Sequence, residues 1–293
     1  VIGAPGSGWN TFLVRGGSDN ENLFLIDGIE TPNLSHWGTS YNSGGAINML
    51  HPDFIENVDF YSGGFPASLP SQLSSITDIR LRDGSMDKRR WQIDMSMAGL
   101  GLLGEGPVVK EKLSYLVNGR ISFLDIIEPL LNVGGLPKYQ NGQVKLSWSL
   151  NNNNKLSLTT LVGHETISFD NEEEYDHVED EGLHCVGGVN WTHRNTWGSN
   201  TILFSGRYDR FEEEVVKYDS ISVWRWNNRH SSLQFKDDLK FFLRDADLLS
   251  IGINIEGKEK DDWVGNEEYF IYADTVTKDY RYTLRESNDE NLL

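Results

Sequence analysis

Three groups of residues have types that chemistry needs. Gly99, Gly101 and Gly104 form a G-x-G-x-x-G run with Asp125 about 20 residues on, the pattern of a dinucleotide-binding turn. Such a turn must open a helix that offers its amide N–H groups to a pyrophosphate. Gly106–Pro107 and the alternating segment after Leu113 predict strand instead, so these glycines read as relief of crowding around a strand connection. His164–Glu165 lacks the second His of H-E-x-x-H. His177, His184 and Cys185 lie around an acidic stretch and carry atoms that bind metals, but without a tight ligand spacing. No G-x-S-x-G and no P-loop is present. The expectation is therefore no catalytic residue, no metal, no cofactor and no enzyme.

The segment from Asn33 to Gly45 is polar and Gly-rich and carries His36, Trp37 and Tyr41. Aromatic rings and amides in one loop can stack on and hydrogen-bond a small ligand, and they can also simply pack. The acidic runs Glu172–Glu174, Glu179–Glu181 and Glu212–Glu214 fall between strand-like segments and read as solvated loops. A formal net charge of −18 over 293 residues argues against nucleic acid, which needs clustered Lys and Arg. One cysteine, Cys185, permits no intrachain disulfide. No apolar stretch of about 18 residues exists, so no helix is expected to cross a membrane. A mean hydropathy of −0.45 leaves a membrane barrel open, because there only every second residue faces lipid. The N-terminus carries no charged and apolar leader, which an exported protein would have upstream of Val1.

The elements that would position these residues change character near residue 85. Before it, short apolar runs such as Phe12–Arg15 and Leu23–Ile26 are closed by Gly16–Gly17 and Asp27–Gly28. His51–Asn57 reads as one helical turn, and Val58–Tyr61 and Ile76–Leu81 as strands. From Trp91 the period is two, as in Val144, Leu146, Trp148 and Leu150 against Gln143, Lys145, Ser147 and Ser149. Roughly nine strands are expected, the last of them at Tyr269–Ala273. Tight turns fall at Lys110–Lys112, Asn151–Lys155, Arg194–Asn200 and Leu243–Asp247. They alternate with long polar segments at Ile126–Gln140, Phe169–Leu183, Glu212–Arg229 and from Lys258. Outer-membrane barrels sort their connections this way, short turns on one side and long loops on the other. Trp148, Trp191, Trp197, Trp224 and Trp226 near strand ends suit an interfacial girdle. An open array in lipid leaves edge amides unpaired at several kcal/mol each, so either further strands follow Leu293 or the chain is not a membrane protein.

Four segments in order carry a resemblance: FLVRGGSDNENLFLIDGIETPNLSHW (Phe12–Trp37), INMLHPDFIENVDFYSGGFPA (Ile47–Ala67), LSSITDIRLRDG (Leu73–Gly84) and GEGPVVKEKLSYLVNGRISFLD (Gly104–Asp125). The chain resembles the plug and early barrel of a TonB-dependent outer-membrane receptor of the Bacteroidetes type. The resemblance implies an α+β plug at 1–84, then antiparallel transmembrane β-barrel strands at 85–293. This is a membrane all-β architecture with about nine of roughly 22 strands. It implies the outer membrane of a Gram-negative cell and active uptake of a scarce ligand, such as a siderophore or iron complex, an oligosaccharide or a peptide. The plug gates the barrel, and the ligand undergoes no covalent chemistry. Implied partners are the TonB–ExbB–ExbD complex, outer-membrane lipid and lipopolysaccharide, and a surface lipoprotein in the glycan-importing subgroup. The TonB-contacting segment and any accessory domain are expected before Val1. The resemblance assigns ligand contact to the apical loop through Asn33, His36, Trp37 and Tyr41, and plug–barrel ion pairs to Arg15 and Arg80. Where the family usually has a Tyr-Gly-Gly-Arg-like run, this chain has Ser68–Gln72, which departs at the local plug–barrel contact. The alternatives are a signalling receptor that senses the same kind of ligand and a soluble β-rich binding protein.

Overall fold

The computed structural model describes residues 12–31, 33–38, 44–45, 47–70, 72–96, 99–123, 137–171, 176–217, 222–244, 247–272 and 275–288. The short apolar runs of the N-terminal unit (the expected plug) form β1 (Asn22–Ile26), β2 (Ile29–Thr31), β3 (Ser35–His36), β4 (Ile47–Asn48), β5 (Ile55–Tyr61) and β6 (Ser75–Leu81). Four of them make a sheet in the order β2-β1-β6-β5, and β3 pairs with β4. Asp27 and Gly28 join β1 to β2 with φ of 52° and 86°, the left-handed pair that a two-residue hairpin needs. The helical turn expected at His51–Asn57 is a 3-10 turn, Pro52–Phe54, where the His51 side chain accepts from the Asp53 amide. Helix among the described residues is confined to that turn and to Asp19–Glu21.

Among the described residues that follow, one antiparallel sheet of ten strands runs in chain order. They are β7 (Arg90–Ser96), β8 (Gly99–Val109), β9 (Leu113–Ile121), β10 (Lys138–Asn151) and β11 (Asn154–Asn171), then β12 (Asp176–Asn195), β13 (Gly198–Lys217), β14 (Ser222–Arg244), β15 (Asp247–Tyr272) and β16 (Thr275–Asn288). The G-x-G-x-x-G run lies inside β8, with no helix to receive a phosphate. Tyr269–Tyr272 is the end of β15 and not a separate strand, and β16 raises the count to ten. Ala273 lies outside the described residues.

In β10 to β14 the described residues turn their polar side inward. In β10, Tyr139, Asn141, Gln143, Lys145 and Ser147 are buried, while Trp148 and Leu150 on the opposite parity are exposed. Leu100, Leu102, Val162, Phe204, Leu233, Phe235, Ile251, Ile253 and Ile255 are exposed too. An apolar exterior around a polar interior is stable only where the exterior meets lipid. The few inward apolar residues (Leu103, Leu116, Leu161, Val186 and Leu203) complete one core with Ile26, Ile29, Met49, Phe54, Ile79 and Leu81 of the N-terminal unit. That unit therefore lodges against the inner face of the sheet.

Two features depart from the sequence reading. Glu179–Glu181 and Glu212–Glu214 lie within β12 and β13, not in loops, because these hairpins run on past the apolar band. Glu172–Glu174 lie outside the described residues. Trp197 stacks on Phe241 at the β12–β13 turn, 5.3 Å between ring centres, as a girdle residue does. Trp226 does not join the girdle: it shares the inward parity of Asn228 and His230 and packs edge-on against buried Phe211 at 5.4 Å.

Candidate functional site

The seam between the N-terminal unit and the sheet is where polar chemistry concentrates. Strand parity builds it: every second residue of β10 to β14 faces inward, and most of those are polar. At the end nearer the long connections, β3 delivers His36 to Glu165 of β11. His36 Nδ1 lies 2.7 Å from Glu165 Oε2, and the Trp37 amide donates to Glu165 Oε1 at 3.0 Å. The same Oε1 meets His184 Nε2 of β12 at 2.7 Å, and His184 Nδ1 meets Asp209 Oδ1 of β13 at 3.0 Å. Arg207 ends the chain 3.0 Å from Asp209. His36 and Glu165 are 0% and 1% exposed, so this five-residue relay is shielded from water. A buried carboxylate persists only when its oxygens are taken, and here both are.

Approach at this end is close. Gly163 on β11 has no side chain because one would overlap Met49 and crowd His36. Barrel side chains also take main-chain groups of the N-terminal unit. Asn141 and Gln143 donate to the Met49 carbonyl, and the His51 amide donates to Gln143 Oε1 at 3.2 Å.

At the end nearer the short turns, Asp27 sits at the left-handed hairpin and meets Lys145 at 3.0 Å and the Thr159 hydroxyl at 2.7 Å. Lys145 also donates to the Leu81 carbonyl at 2.5 Å. Lys155 pairs with Asp83 at 2.6 Å, and Ser147 donates to the other Asp83 oxygen at 2.6 Å. Burial alone would raise the Asp83 carboxyl, but Lys155 and Ser147 hold it below the usual carboxylate range. Arg82 meets Glu105 of β8 at 2.7 Å, fixing the linker after β6. Glu30 accepts from Gln234 of β14 at 3.0 Å, and burial, reinforced by Glu256, pushes its carboxyl up.

The residues singled out in the sequence fall in different places. Asn33 is buried and accepts from the Ser35 amide at 2.9 Å, shaping its own loop. His36 is in the relay. Trp37 is buried at φ 59°, unusual for an aromatic residue, and its indole N–H has no acceptor among the described residues. Tyr41 lies outside the described residues. Arg15 is exposed, with its guanidinium over Gly63. Arg80 pairs with Asp59 at 3.3 Å and Asp78 at 4.0 Å, both in its own sheet. Parity explains this: Ile79 and Leu81 of β6 face the core, so Arg80 points away from it. His184 and Cys185 face opposite sides of β12 and so share no ligand. The seam pairs Asp27–Lys145 and Glu165–His184 were missed, although the inward polar parity of β10 to β13 was the signal that held them. Chemically, the seam holds two bodies together by bonds that water can replace.

Residues 1–75 match the family model of the TonB-dependent Receptor Plug Domain. No curated protein matches the sequence. Among solved structures the chain is similar to the siderophore receptor PirA from Acinetobacter baumannii, at 13% identity and a TM-score of 0.54, over 87% of this chain and 47% of that one. It is similar to the siderophore receptor PiuA from Acinetobacter baumannii, at 12% identity and 0.55, over 92% and 42%. It is likewise similar to the outer membrane transporter YddB from Escherichia coli, at 12% identity and 0.53, over 92% and 46%. At these identities the likeness is one of fold, and the chain spans less than half the length of each of these receptors. Residues 1–75 thus match the plug domain of TonB-dependent receptors, and the plug with its polar-lined strand array has the fold of these outer-membrane receptors.

Proposed function

We propose that this chain, with a plug at 1–84 and barrel strands at 85–293, serves TonB-dependent uptake of a siderophore-type ligand across the outer membrane. The observation that carries the reading is the polar seam. Beside a small shared apolar core, the hydrogen bonds and ion pairs that hold the plug can be exchanged for water one at a time, whereas a wholly apolar interface of the same size would have to be exposed at roughly 25 cal/mol per Å². The siderophore receptors that share the fold narrow the ligand class. The pulling partner is the TonB–ExbB–ExbD complex.

Ligand contact is assigned to the apical loop that carries Asn33, His36, Trp37 and Tyr41. Trp37 supports it, with a buried indole donor that lacks an acceptor among the described residues. The test is uptake of iron-55 chelates, hydroxamate and catecholate, in cells that carry or lack the complete gene, with and without TonB. Accumulation that needs both the gene and TonB is expected for at least one chelate. Accumulation that ignores TonB would overturn the reading.

A further inference from the structure

A crevice of about 650 Å³ opens between plug and barrel at the short-turn end. Its walls carry opposite charge. The plug contributes Asp27, Glu56 and Asp78 beside Arg80, and the barrel contributes Lys145, Lys155, Arg194, Lys236 and Lys240 against Asp238. Five cations on one wall run against the composition of a chain whose net charge is −18.

Three of the five are engaged. Lys145 and Lys155 hold Asp27 and Asp83, and Lys236 holds the Ser68 carbonyl at 2.9 Å and Asp238 at 3.2 Å. Arg194 and Lys240 have no carboxylate within ion-pair distance among the described residues. Arg194 is in register with Ser199, and Ser199 with Lys240. Their Cα atoms are thus two strand spacings apart, about 10 Å, on the parity that lines the crevice. Neutral amides of the Asn151–Asn154 turn line the crevice beside them. Two long cations that can converge over a serine, with amide groups alongside, suit an anion that offers several oxygens.

We propose that Arg194 and Lys240 form a site for a small multidentate oxyanion, such as a polycarboxylate, on its way out of the barrel toward the periplasm. The exit role rests on the uptake reading; the site itself does not. Citrate is the probe, titrated calorimetrically into the full-length receptor in neutral detergent at low salt, with glycerol as the uncharged control. Saturable millimolar binding is expected, at least tenfold weaker in Arg194→Gln/Lys240→Gln and unchanged in Arg229→Gln on the opposite face of β14. Arg194→Lys, which keeps the charge, should retain most of the binding and guards against a folding artefact in the double variant. Inorganic phosphate, with its oxygens on one centre, should bind more weakly than citrate. Absence of saturable citrate binding to the wild type, or equal loss in Arg229→Gln, would overturn the site. Site-dependent citrate binding together with TonB-independent accumulation would overturn the exit role and the uptake reading while leaving the site standing.

Discussion

Glu165 shows how much one residue of the seam carries. Its two oxygens serve His36, Trp37 and His184, from the plug and from a second barrel strand. Glu165→Gln keeps the shape but replaces one acceptor by a donor facing a histidine. The expected cost is about 3 kcal/mol, because a broken buried pair leaves charge uncompensated. Hydrogen exchange at residues 35–37 should quicken while residues 22–26 stay protected; equal quickening at both would mean that the relay is no local anchor. Asp237 is the opposite case. It lies on the lipid-facing parity between Phe235 and Leu239, in register with Ile202 and Ile253. Asp237→Leu should stabilise the protein by about 1–2 kcal/mol in urea unfolding from vesicles, as removing a lipid-facing carboxylate does. A destabilised variant would mean that the carboxylate has a partner. Asp237 was legible as a break in the apolar pattern. Glu165 was legible only as half of an absent metal motif, because its partners lie 129 and 19 residues away in sequence.

Among the elements, the β12–β13 hairpin shows what alternation reveals and what it hides. The strands and the short turns at 152–153 and 196–197 follow from period two and turn chemistry. The length of the strands does not, because acidic residues disfavour strands and suggest loops. Register puts Glu179 opposite Glu214, Asp180 opposite Glu213 and Glu181 opposite Glu212. Like charges in that position destabilise a ladder. Arg225 relieves the first row through Glu214 at 2.7 Å, and Arg210 relieves the last by reaching Glu181 at 2.5 Å. The middle row has no such cation among the described residues, and burial together with Glu213 pushes the Asp180 carboxyl up to about 7. An acid whose pKa is raised on folding favours the folded hairpin while protonated, and this support is lost as pH rises toward 7. The hairpin end should therefore exchange its amides faster at pH 8 than at pH 5, after correction for intrinsic rates. Asp180→Asn should remove most of that difference, and a difference that survives the substitution would assign it to other groups.

For the molecule as a whole, the division into plug and strand array was legible, since Gly-closed short runs and long alternating runs build different things. How the two fit was not: the Asp27–Lys145 pair spans 118 positions, and only the folded register brings it together. That pair decides how firmly the inner end of the plug is seated. Lys145→Met leaves Asp27 without its ammonium and removes a cation near Asp83, at about 3–5 kcal/mol for the broken buried pair. Asp27→Asn should cost less, since Lys145 keeps the Leu81 carbonyl. The double variant Asp27→Asn/Lys145→Met should recover much of the loss, because neutral groups of similar shape need no partner charge. Exchange of β1 and β6 amides in the full-length receptor reads the three variants directly. Acid should act on the same end. Asp83 has its carboxyl held low in the fold, so its contribution is present above about pH 4 and fades as pH falls through its lower folded value. Asp83→Asn should flatten that dependence without changing exchange at His36. If the two single substitutions instead add in the double, the ion pair does not seat this end of the plug, and main-chain bonds such as that from the Asn190 amide to the Asp27 carbonyl at 2.9 Å do so instead.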